Sequence, residues 1–178
     1  MRPTPRLAVL LGLALGATAL VASADPASRH IRADQVDYRV VDIDLGNDAL
    51  ELRWKDASGH ALAGIDGLRI WGQTQGRDLL FAANAGIYDR EFRPLGLHVE
   101  DGAELRPLNT AHSAGSRGNF SMQPNGVFYV DRAGNAGVVQ TGQWRDKAID
   151  ARIASQSGPL LLVDGEINPN FDSQSESA

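Results

Sequence analysis

The chain has 178 residues, 43% of them hydrophobic, with no cysteine and a formal net charge of −5. Disulfides, thiolate zinc sites and a cysteine nucleophile are therefore excluded. The acidic balance argues against nucleic acid or an anionic membrane surface as a partner.

The first two dozen residues read as an export signal rather than as fold. Arg2 and Arg6 form a positive segment, Leu7 to Val21 is apolar, and Ala22-Ser23-Ala24 has the small-x-small form of a cleavage site. The apolar run is shorter than the ~20 residues that a spanning helix needs. Cleavage before Asp25, with no stable membrane insertion afterwards, is expected. Residues 1–24 are then a signal peptide and residues 25–178 one domain, periplasmic or secreted.

From Asp34 to Trp54 apolar residues alternate. Val36, Tyr38 and Val40 are followed by Ile43 and Leu45, then by a Gly46-Asn47-Asp48 turn, then by Leu50, Leu52 and Trp54. This pattern predicts a hairpin closed at Gly46–Asp48, with a bulge where the alternation slips at Val41-Asp42. Mixed three- and four-residue spacings predict a short helix over 61–75, weakened by Asp66-Gly67. Leu79–Ala83 reads as a buried strand. It stops at Asn84-Ala85-Gly86-Ile87-Tyr88-Asp89, a polar end of the kind found at a cleft. Pro94-Leu95-Gly96 is a turn, Leu97 and Val99 begin a strand, and Asp101-Gly102 closes a tight hairpin into Glu104-Leu105.

Residues 107–118 read as a polar loop. Phe120 with Met122, Val127–Val130 and Gly137–Thr141 read as strands, and 148–155 is open between strand and helix. Pro159–Val163 is a wholly apolar strand ended by Asp164-Gly165, with nothing after it to pair with its edge. The sum is an α+β domain: a mostly antiparallel β-sheet core with one or two packed helices.

Paired acids are candidates for general acid, general base or nucleophile at a glycosidic bond. Asp89, Glu100, Asp101, Asp164 and Glu166 stand at element ends, where solvated caps are the commoner outcome. Asp164 ends an apolar strand, so partial burial is expected of it. Asn84 and Gln156 border apolar runs. Asn125 precedes a glycine and reads as a turn former, whereas Gln156 lacks that explanation and reads as aimed at a ligand. His98 and Glu100 share a strand face, which suits proton transfer or a metal, although a lone surface histidine is the simpler reading. Ser157 lacks a nucleophile elbow. Arg117, beside Gly118, suits an anion clamp.

Together, Asn84–Tyr88, Pro94–Leu97, Gly118-Asn119-Phe120, Pro124–Phe128 and Gln156–Leu160 resemble the phosphodiester glycosidase family. This is the group of the lysosomal uncovering enzyme, which removes N-acetylglucosamine from a phosphodiester, and the nearest likeness is to its exported bacterial branch. The resemblance runs from about Val36 to Phe171. Ala85 and Ile87-Tyr88 depart from the family's more general Asn-Gly-Gly-Phe-Phe.

The resemblance implies hydrolysis of a sugar-1-phosphodiester or related glycosidic link. An envelope glycan is an alternative small-molecule substrate. Asp164, Glu100 and Asp89 are the catalytic candidates. Asn84, Gly86, Arg117, Asn119, Asn125, Gln156 and Ser157 are the substrate-binding ones. No cofactor is expected, and a divalent metal is left open. Family members continue past the equivalent of Phe171 with an Arg-Asn-Gly-rich segment. The chain thus reads as a C-terminally truncated member, and a degenerate or purely glycan-binding domain is the alternative function.

Overall fold

A computed structural model describes residues 26–111, 120 and 122–170. The export segment, Arg117 and Asn119 lie outside the described residues. Among these residues, every strand pairing is antiparallel and there is one α-helix, as the α+β reading expects in outline. No helix among them is long and apolar enough to cross a membrane.

β1 (Ala27–Ala33) and β2 (Val36–Asp42) form a hairpin closed at Asp34-Gln35. Both turn residues have positive φ, 48° and 66°, as the two-residue turn that matches strand twist requires. The expected partner of the 36–45 run was 50–54, and the structure corrects this. Gly46–Asp48 does turn, organised by the Asp44 carboxylate, which accepts from the Gly46 backbone N–H at 2.9 Å and the Asn47 amide at 2.6 Å. Residues 50–54, however, join no ladder. Alternation marks which face is apolar and leaves the choice of neighbour open. The slip at Val41-Asp42 marks the end of β2, since its register carries no bulge.

α1 (Ile65–Thr74) lies within the expected helix. Its Gly67 lets the Leu62 carbonyl approach where a Cβ would stand. Leu79–Ala83 forms no strand, because no edge lies beside it, and Leu79, Leu80 and Phe81 remain partly exposed.

The remaining strands are β3 (His98–Glu100), β4 (Ala103–Arg106), β5 (Gly126–Asp131), β6 (Ala136–Gln140) and β7 (Ala151–Ser157). They make one sheet in the order β4-β3-β7-β5-β6. The ambiguous 148–155 segment thus becomes its central strand. Neither Phe120 nor Met122 is in a strand. Pro159–Val163 contributes only the two-residue β8 (Leu162–Val163), which pairs with β9 (Glu166–Ile167). The apolar strand expected there is therefore not buried, and Leu161 and Leu162 are exposed.

Residues opposite one another in the sheet share a face. One face carries Val99, Ala154, Val127, Val139 and Tyr129. It is covered by Leu108, Trp144 and Ile149 to form the core. Val127 and Ala154 have no exposed surface. A fully buried valine of this kind contributes roughly 1.5–3 kcal/mol. The opposite face carries the row His98, Ser155, Phe128 and Val138.

Candidate functional site

On that second face sits a cavity of about 1050 Å³. Its floor is His98, Ser155 and Phe128. Its walls are the irregular segments 48–54 and 77–88 and one side of α1. The apolar residues of 79–83, read from sequence as a buried strand, form part of one wall.

Gly86 is packed against β7. A Cβ there would stand 2.7 Å from the Ser155 hydroxyl and 3.1 Å from the Gln156 carbonyl. The Ser155 hydroxyl donates to the Ala85 carbonyl at 2.9 Å. Residues 84–86 are thereby tied over the floor, with the Asn84 side chain exposed.

The His98 ring is 6% exposed and the Glu100 carboxylate 11%. His98 Nε2 lies 2.8 Å from Glu100 Oε1. The surface-histidine reading is therefore overturned. The same oxygen accepts from the Trp54 backbone N–H at 2.6 Å. A carboxylate oxygen that accepts twice assigns the ring proton to Nε2, leaving the Nδ1 lone pair without a partner among the described residues. The Trp54 ring packs edge-on to His98, centroids 5.9 Å apart. Beside the pair, the Arg53 guanidinium bonds Asp101 at 2.6 Å and Glu51 at 2.9 Å, with Glu100 3.8 Å away. Burial opposes its charge, but the bonds to Asp101 and Glu51 prevail and its pKa is raised.

Asn84, Gly86 and Gln156 line the cavity, and Glu100 is linked to it through His98. Asp89 is turned into its own loop. Its carboxylate accepts from the backbone N–H groups of Arg93 and Glu91 and from the Arg93 side chain. These bonds, that from the Arg93 backbone foremost, hold its pKa below the usual value, an arrangement suited to a turn anchor rather than a proton donor.

Gln156 is 2% exposed, and its amide is fully engaged by protein. Its Oε1 accepts from the N–H groups of Leu97 (3.0 Å) and Asn109 (2.9 Å). Its Nε2 donates to the Asn109 carbonyl (2.7 Å) and the Thr141 hydroxyl (3.3 Å). Asn125, also buried, donates to the Phe120 carbonyl at 2.8 Å, while its Oδ1 packs against Gly158. Ser157 is half-buried at the end of β7, opposite Gly126.

Asp164 is exposed in the β8–β9 turn, with φ 53°. The partial burial expected of it is corrected: β8 is too short to carry its end inward, and Asp164 borders a separate cavity of about 200 Å³ beside β6. Sequence reasoning missed Ser155 and Trp54. Ser155 shares the face of His98, and that relation is visible only once β3 and β7 are known to pair. No group of three or more His, Asp or Glu side chains among the described residues is placed to hold a metal.

A cavity with a buried histidine in its floor, backed by a glutamate and overlain by the Asn84-Ala85-Gly86 segment, is a site for polar chemistry. Residues 77–178 match the model of the phosphodiester glycosidases, and the chain belongs to that family. It is also similar to YigE of Escherichia coli, an uncharacterized protein, at 37% identity over 123 residues. That match takes in 68% of this chain and 46% of YigE, so the chain spans about half the length of this curated relative. No solved structure matches.

Proposed function

We propose that this protein hydrolyses a sugar-1-phosphodiester or a related glycosidic bond in the bacterial periplasm. The observation that carries the reading is His98, buried at the floor of the cavity and paired with Glu100 behind it, both within the family-matched segment.

In this reading Glu100 orients His98 through Nε2–H, and the free Nδ1 takes a proton from the water that attacks the anomeric carbon. The phosphate leaves with the electron pair of the broken C–O bond. Such a leaving group needs little protonation, so electrostatic stabilisation outweighs general acid catalysis. Asn84, exposed at the rim, hydrogen-bonds sugar hydroxyls, and Arg117 is assigned to the phosphodiester.

The test is sugar release from a sugar-1-phosphodiester by the purified protein. Glu100→Gln is expected to lower kcat by about 100-fold or more, since general acid–base groups contribute on that scale. Calorimetry on the same substrate separates the two readings. Binding without turnover in the unaltered protein would replace the hydrolase by a glycan-binding domain.

A further inference from the structure

The β1–β2 hairpin stands apart from the site and from the central sheet. All of β1 and most of β2 are exposed, and each strand's main neighbour is the other. Toward the turn one face is apolar, formed by Ile31, Ala33, Val36, Tyr38 and Val40, with Ile31, Val36 and Tyr38 each nearly half exposed; at its far end it carries the Arg29–Asp42 ion pair. A lone two-stranded hairpin is marginal in water, and three or more strands are needed for independent stability.

The register shows which edge is available. The two-residue turn makes Ala33 and Val36 a hydrogen-bonded pair, and the pattern alternates from there. Ile31 with Tyr38 and Arg29 with Val40 are then also hydrogen-bonded pairs. Asp37, Arg39 and Val41 consequently direct their backbone N–H and C=O groups to the open edge of β2.

We infer that this edge pairs with the same edge of a second copy, about a two-fold axis through Tyr38, to form a four-stranded sheet β1-β2-β2-β1. The inference rests on self-complementarity. Antiparallel pairing about Tyr38 sets Asp37 of each copy opposite Arg39 of the other, and these are outward-facing residues able to exchange backbone bonds. Val36 meets Val40 and Tyr38 meets Tyr38 on the other face, so the apolar surface becomes continuous. Arg39 makes no ion pair among the described residues, and Asp37 has only Arg32 at 3.9 Å. β1 closes the assembly at two copies. Its side chains include Arg29, His30 and Arg32 and no acid, so a β1 edge meeting its own copy brings like charges together.

The purified protein is expected to sediment as a dimer. Arg39→Asp should weaken association about tenfold or more, and the charge swap Asp37→Arg with Arg39→Asp should restore it. Because the chain has no cysteine, Tyr38→Cys gives an independent reading. A pair directly opposite across the axis is about 4.5 Å apart at Cα, within disulfide reach, so mild oxidation should yield a covalent dimer. Ile31→Cys, equally exposed but on β1, should stay monomeric on the same treatment. A wild-type monomer at about 100 μM, where mass action favours association, would overturn the inference. Undiminished dimerisation of Arg39→Asp, failure of the swap to restore association, or crosslinking of Ile31→Cys as fast as Tyr38→Cys would overturn it too.

Discussion

Gln156 shows how one residue type serves two opposite purposes. From sequence it is an amide without a turn to explain it, and so a ligand group. In the structure its four hydrogen-bonding positions clamp Asn109 and its neighbours onto the sheet beside Leu97. Gln156→Ala would leave two backbone N–H groups and a carbonyl short of partners around a small void. A loss of about 3 kcal/mol is expected from such unsatisfied groups, measurable by urea unfolding; a loss below about 1 kcal/mol would show that water replaces the clamp. Gly96 belongs to the same arrangement, since a Cβ there would collide with the Gln156 side chain. His98 and Glu100 were legible as sharing one strand face. Their burial was not, because the segment that covers them, with Trp54, comes from more than forty residues earlier in the chain.

At the scale of elements, local chemistry predicted turns better than it predicted strands. Asp101-Gly102 closes the β3–β4 hairpin as expected, with φ of 49° and 81°. Gly102→Ala should cost about 1 kcal/mol, because a left-handed backbone disfavours a Cβ, and the nearest atoms to that Cβ belong to the movable end of Arg132. Gly102→Asn, which tolerates that region, should cost less. Equal losses for the two in thermal unfolding would place the penalty in packing rather than in the backbone. Strands failed where pairing depended on distant partners. Leu79–Ala83 has the composition of a buried strand but no edge to join, and β7 was ambiguous in isolation because its neighbours β3 and β5 decide its form.

For the whole molecule, three turn aspartates are expected to contribute to the response to acid. Bonds from the Gly46 backbone to Asp44, from the Arg93 backbone to Asp89 and from the Asn135 side chain to Asp131 are the leading causes that lower their pKa values. Each folded value lies below the unfolded reference of 3.8. The stabilisation is therefore complete above that reference and is lost as pH falls through the folded values. Urea midpoints should hold from about pH 7 to 5 and fall below about pH 4. Asp89→Asn should flatten the decline, and an unchanged slope would remove Asp89 from this account. The sequence by itself determined the chemistry that is local: the turns, the helix near 65–74, the alternation that marks apolar faces, and the motifs that place the chain among phosphodiester glycosidases. Only the tertiary structure decided which strands pair, that Gln156 braces a loop, that Asp164 lies in the open, and that Ser155 joins His98 beneath the Asn84–Gly86 segment. Periodicity specifies a residue's face, whereas its neighbours follow from long-range pairing that no short window of sequence contains.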